Sequence, residues 1–409
     1  MKLYKYKAKN EPITYLNTDI QIEIPDVYIE KEYRAVWVSN VANIDLPTVE
    51  DLKRYQAKVI QYFDTFVEYN LNTIFFQVRT NNDAYYYSKL NPYSRFFTGK
   101  EGKEPPFDVF AWVIKEAKKR NLAIHAWCNP YRVSYDGKLS IDEYLATCDD
   151  LNFAKKHPEY LVLDKGGKLI LNPTKTEVKQ FVIASMVEIV ENYDVDGIHL
   201  DDYFYPYSGL SDTVNDLADF NNRLDKTMSL GDFRRKHVND LIKGINDAIH
   251  QVDEKLLFGV SPFGIWRNKA SDIAGSNTAP ACSESYSGQF ADSLAWVKEE
   301  MLDYIVPQIY WPFGHKIAPF GDILDWWKDQ VKGTNVDLLI GHPAYRLGEK
   351  GDFENPEEIV NQIKYANQFE TVKGNVFFTA KTFIDKTKKQ QGMNNLKELL
   401  NEVEQDENN

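Results

Sequence analysis

The chain has 409 residues, 43% of them hydrophobic, enough for a sizeable core in one large domain or two ordinary ones. Its 48 basic and 61 acidic side chains leave a net charge of −13, which argues against nucleic acid as a partner. Three cysteines, Cys128, Cys148 and Cys282, are an odd number without metal-ligand spacing and read as reduced thiols.

Residues 1–32 read as an N-terminal arm without an apolar run of signal-peptide length, and no stretch approaches a membrane span. The expectation is a cytoplasmic protein, or a secreted or cell-envelope one if a leader has been removed. From Tyr33 the pattern alternates between short β-rich runs and longer segments of helical spacing. YRAVWVSN (33–40) predicts a first strand, and 49–70 a helix with Val59, Phe63, Phe66 and Val67 on one face. A second strand is predicted at 72–79, a helix at 107–121 and a third strand, stopped by Pro130, at 123–130. Residues 136–174 break the rhythm. EYLVLDKGGKLILNP reads as a β-hairpin turning on Gly166 and Gly167, inserted after the third strand.

A helix at 176–193 then leads to the fourth strand, VDGIHLDD (195–202). Further strands are predicted at 255–262, 302–311, 336–345 and 374–380. Helices are predicted at 232–252, 291–301, 320–331, 355–369 and 394–403. In the 355–369 helix, Asn355 is the expected cap and Pro356 the first helical residue. Eight strands alternating with eight helices predict a single (β/α)8 TIM barrel over 33–403, followed by an acidic tail at 404–409. No glycine-rich dinucleotide fingerprint follows the first strand, which weakens an open doubly wound sheet.

In such barrels the reacting groups stand at the carboxyl ends of the strands. Those ends carry Gln77, Arg79 and Asp83; His125, Trp127, Asn129 and Arg132; His199, Asp201 and Asp202; Phe263 and Trp266; Gln308, Tyr310 and Trp311; and His342. Arginines and amides can grip hydroxyl and carboxylate groups, and flat aromatics can stack on sugar rings, so these residues are candidate contacts for a carbohydrate. Each also has a plainer reading. His125 and His199 lie within strands and could be satisfied core histidines, and Asp201 could pair with Arg79 or Arg132.

A buried strand that ends on two acids is costly unless they are paired or have chemical work to do. Strand alternation turns His199 and Asp201 to the barrel axis and Asp202 outward or into the loop. Asp201 is therefore the candidate carboxylate that meets an oxocarbenium-like centre. A second acid must be Asp202, Asp83 or Glu284 in the long loop after the fifth strand. The sixth strand ends on Gln308 rather than an acid. HLDD also places one histidine beside two aspartates, but no second histidine cluster supports a metal, and neither metal nor cofactor is expected.

YRAVWVSN, FFQVRTNNDAYYYS, HAWCNPYR, YDVDGIHLDDYFYP, FGVSPFGIWRN and DYIVPQIYW together resemble the bacterial glycoside-hydrolase-like ten family. The likeness runs in order from about Tyr33 to the eighth strand. It implies a (β/α)8 fold and hydrolysis of bacterial glycans, peptidoglycan strands among them. GIHLD also resembles the fourth-strand motif of α-amylase-type barrels, which implies a nucleophilic role for Asp201. Many relatives carry a lipoprotein or secretion signal, which this N-terminus does not show. A glycosidase is the leading expectation; a non-catalytic glycan-binding barrel and a metal-dependent hydrolase are the alternatives. Oligomeric state is not legible.

Overall fold

The computed structural model describes residues 1–387 and 389–402. The tail predicted at 404–409 and the expected domain end at 403 lie outside them. Strands β1 (Tyr4–Lys5) and β2 (Ala8–Pro12) form a small antiparallel ribbon in the N-terminal arm. The arm is packed rather than loose: Leu3, Ile13, Ile22 and Ile24 are buried, and the Tyr15 and Tyr365 hydroxyls share a hydrogen bond of 2.6 Å.

The barrel strands are β3 (Tyr33–Val38), β4 (Thr73–Arg79), β5 (Ala123–Cys128), β8 (Gly197–Leu200), β9 (Leu257–Val260), β10 (Tyr304–Ile305), β11 (Asp337–His342) and β12 (Val372–Phe377). They pair in that order, all parallel, and β12 closes on β3. Between β5 and β8, β6 (Leu161–Leu163) and β7 (Leu169–Leu171) form the expected antiparallel hairpin. Its turn contains Gly167 at φ 83°, a left-handed position that glycine adopts without steric cost. A helix follows each barrel strand, the longest spanning Leu52–Glu68, Thr176–Asn192 and Leu230–Val252. Side chains cap several of the helices, Asp51 accepting from Arg54 N and Ser229 from Asp232 N.

All seven residues of β4 are buried, which explains the apolar run Ile74–Phe76 within it: helices cover one face and the barrel core the other. Ile74, Phe76 and Val78 pack toward the helices, whereas Phe75 joins Trp37, Trp127, Tyr304, Leu339 and Val376 inside the barrel. Two expectations need correction. The sixth strand is only Tyr304–Ile305, because Pro307 carries no N–H for a ladder; the chain then touches its neighbours through single bridges at Gln308. The helix predicted from Asn355 begins at Glu358, with Glu357 at its cap position. Asn355 instead accepts from Glu357 N at 3.1 Å in a turn before it.

The lower barrel is filled by a polar plug. The Tyr304 hydroxyl bonds His125 Nδ1 at 2.9 Å and His199 Nδ1 at 3.2 Å, and Phe75 stacks on His199 with centroids 4.2 Å apart. Gly259 makes room for this tyrosine, since a Cβ there would lie 2.0 Å from its ring. Gly259→Ala is expected to destabilise the fold by about 1–3 kcal/mol or more, measured by denaturant unfolding. Wild-type stability in that variant would refute the packing account.

Candidate active site

Above the plug, the strand ends enclose a cavity of about 260 Å³. Its wall includes Trp37 on β3 and Ser39 just after it, Gln77 on β4, Trp127 on β5, Arg132, Ser261 after β9, Gln308, Tyr310, and Phe378 after β12. Two carboxylates face it, Asp201 and Asp202, both at least nine-tenths buried. The strand period places Asp201 as expected, because His199 points into the barrel and Leu200 into the helical layer. For Asp202 the loop alternative holds and the outward one does not. β8 ends at Leu200, so the alternation does not extend to Asp202, and a bend brings its carboxyl back into the cavity.

A chain of amides orients Asp201. Gln77 Oε1 accepts from Asn40 N at 2.9 Å and Val41 N at 2.8 Å. Backbone N–H groups can only donate, so they fix which way this amide faces, and Gln77 Nε2 must donate to Asn129 Oδ1, at 2.7 Å. Asn129 Nδ2 is then left to donate to both Asp201 oxygens, at 2.8 and 2.6 Å. Arg79 braces this arrangement from the helical side by donating to the carbonyls of Asn129 and Pro130. Tyr203 N adds a longer contact of 3.3 Å to Asp201 Oδ1.

These donors act differently on the two carboxyls. Burial pushes the Asp201 carboxyl up, but Arg132, Asn129, Tyr203 N and the nearby Trp127 indole all favour its charged form. Asp202 is pushed up to about 8, first by burial and then by the Asp201 charge beside it. Both carboxyls are raised, and the donors on Asp201 favour Asp202 as the one that keeps a proton. The Tyr207 hydroxyl donates to Asp202 Oδ2. In such a pair the carboxylic acid can donate a proton to a leaving oxygen while the carboxylate stabilises positive charge nearby.

The structure gathers Gln77, Trp127, Arg132, Gln308 and Tyr310 with the two aspartates in one cavity. Asn129 is fully buried behind Asp201 and Arg79 lies in the helical layer, so both support the site from outside its wall. Other candidates are elsewhere. His125 sits in the plug, where burial lowers it to about 3. His199 accepts from Trp37 Nε1 at 3.1 Å below the cavity floor, so it does not converge with the aspartates. His342 points outward, bonded to Gln362 and Asn375 between Phe320 and Phe377. Asp83 closes its own loop by accepting from Thr80 N and Asn81 N, both at 2.8 Å. Trp266 stacks on Trp326 and donates to Asp292, which places it among the helices. Phe263 and Trp311 pack edge to face with each other just outside the wall. Glu284 accepts from Asn268 N at 3.0 Å and lines a neighbouring pocket, not this one. Among the described residues, no group of three or more His, Cys, Asp or Glu is arranged to hold a metal ion.

Sequence reasoning missed Tyr203, Tyr207, Phe378 and Asp45. Both tyrosines lie in YFYPY (203–207) right after the aspartates, and Phe378 follows the eighth strand, so a reading carried a few residues past each strand would have found them. Asp45 left no such signal. Buried and raised to about 6, it accepts from Ser39 N at 2.7 Å, Lys381 N at 3.0 Å and the Thr379 hydroxyl. It thereby ties together the rims of β3 and β12.

Residues 32–358 match the profile of the family described as glycosyl hydrolase-like 10. The chain belongs to that family. It is 38% identical over 361 residues to glycosyl hydrolase YngK of Bacillus subtilis strain 168, covering 86% of this chain and 69% of that one. To glycosyl hydrolase DigH of Escherichia coli K12 it is 34% identical over 340 residues, covering 80% of this chain and 76% of that one. The glycoside hydrolase domain of PgaB (BpsB) from Bordetella bronchiseptica shares the fold at 11% identity, with a TM-score of 0.55 over 90% of this chain and 98% of that domain.

Proposed function

We propose that this glycosidase cleaves a bacterial polysaccharide or oligosaccharide, with peptidoglycan glycan strands the favoured substrate. The observation that carries the reading is the pairing of two buried aspartates in the cavity at the strand ends, one of them, Asp201, gripped through both oxygens by the Asn129 amide. Asp202 donates its proton to the glycosidic oxygen. Asp201, held charged by Asn129 and Arg132, faces the positive charge that develops at the sugar. Trp37, Trp127, Tyr310 and Phe378 supply flat apolar faces around the two acids, suited to a pyranose ring. Burial makes both acids more sensitive to each other's charge than they would be in water, which is what divides their roles. The family's glycosyl hydrolase relatives and the residues of the cavity support hydrolysis over glycan binding alone.

The test is a screen of purified protein against labelled glycans, including peptidoglycan with and without its peptides. Shortened glycan products with new reducing ends are expected. Binding without any cleavage across the panel would refute the reading in favour of a lectin-like barrel.

A further inference from the structure

Beside the Asp201 cavity lies a second one, of about 510 Å³, walled by the β6–β7 hairpin. The two share Arg132, Tyr203 and Tyr207 as a common wall. Together they reach the size range of known ligand sites, roughly 300–1,000 Å³. Tyr135, Tyr203 and Tyr207 are each between 43% and 49% exposed here, an unusual concentration of open aromatic surface.

Arg132 is half-buried, and its guanidinium makes no hydrogen bond or ion pair with any described residue. Its carbon lies 4.0 Å from the centre of the Tyr203 ring. A guanidinium held against an aromatic face keeps its N–H donors free at its edges, in the fork that fits a carboxylate. Arg79 and Arg234 offer a contrast: both are engaged, by carbonyls and by Asp216. Lys168, on the hairpin, is likewise without an ion pair among the described residues. The acids of this cavity are already occupied. Asp164 accepts from Lys168 N at 2.7 Å and Ser208 Oγ at 3.2 Å, and Asp136 pairs with Lys138 at 2.9 Å.

We infer that the hairpin cavity is a second sugar subsite for a ring bearing a carboxylate, with Arg132 gripping that carboxylate and Tyr203 or Tyr207 stacking on the ring. The choice of a single negative charge follows from the surroundings. Two open cations attract an anion, but Asp136, Asp164 and the Asp201–Asp202 pair would repel a doubly charged phosphate. The position of the subsite next to the acids rests on the glycosidase reading; the anion preference does not. A glycan occupying both cavities would place its scissile bond at the aspartates and a neighbouring acidic ring under the hairpin.

The test is calorimetry in an Asp202→Asn background, so that binding is read without turnover. The probes are a peptide-free peptidoglycan hexasaccharide, whose alternate rings carry a carboxylate, and the same hexasaccharide with those carboxyls converted to methylamides. The carboxylated probe is expected to bind roughly 10–100-fold more tightly, the worth of a charge-assisted hydrogen-bonded pair. Arg132→Gln should abolish that difference, and Arg132→Lys should restore part of it. Circular dichroism confirms the fold of each variant. Equal affinity for the two probes in the presence of Arg132, a preference that persists in Arg132→Gln, or binding of neither probe would overturn the proposal. If the wild type cleaves no glycan yet keeps the Arg132-dependent preference, the subsite stands and the hydrolytic reading falls.

Discussion

Asp202→Asn is expected to lower kcat by roughly 10²–10⁴-fold with little change in KM, the usual worth of a proton donor. Asparagine keeps the shape and can still accept from the Tyr207 hydroxyl, but it cannot deliver a proton. The wild-type rate should fall above about pH 8, where Asp202 loses its proton. Stability gives a second, independent readout. Asp202 is raised from 3.8 to about 8 on folding, so the folded state binds more protons than the unfolded chain across that window. Stability therefore declines as pH rises from about 4 to about 8, and the contribution of this group is flat outside it. Asp202→Asn removes the titration, so the variant should gain on the wild type as pH rises to 9. Thermal melts at pH 5 and pH 9 test this. An unchanged gap between the two proteins, or full activity in the variant, would remove Asp202 from the mechanism.

The second large effect concerns Asp201. Asp201→Asn is expected to cost on the order of 10³-fold or more in kcat, about 4 kcal/mol of transition-state stabilisation. The loss has two sources. The charge that faces the developing cation disappears, and the Asn129 amide, which now donates to both carboxylate oxygens, meets an amide instead. The variant also relieves the repulsion that helps keep the Asp202 proton in place, so any residual activity should lose its basic limb at a lower pH than the wild type. Circular dichroism would confirm the fold, and kinetics across pH would read the shift. A residual profile with its basic limb unmoved would show that the two carboxyls do not share their titration.

Much of the barrel was legible because its signals are local. A strand covered on both faces must be buried throughout and largely apolar, as Thr73–Arg79 is with its Ile74–Phe76 run, and a helix on the barrel surface must repeat its apolar residues every three to four positions, as Leu52–Glu68 does. The hairpin announced itself through two glycines, one of which takes a positive φ. Asp201 was legible for the same reason: strand alternation carries a side chain's direction as far as the ladder lasts.

Where the ladder stops, that reasoning stops with it. Asp202 lies two residues past Leu200, and only the bend after β8 turns it into the cavity. Arg79, Asp83 and His342 have the chemistry of ligand-binding groups, and only their neighbours show that they are spent on the scaffold. The relay from the Asn40 and Val41 amides through Gln77 and Asn129 to Asp201 joins four strands in succession around the barrel. The sequence by itself determined the eightfold alternation and an acid at the end of the fourth strand, because periodicity and burial act between near neighbours. Which acid keeps its proton was decided only by the tertiary structure, because that depends on charges, donors and exclusion of water supplied by distant segments.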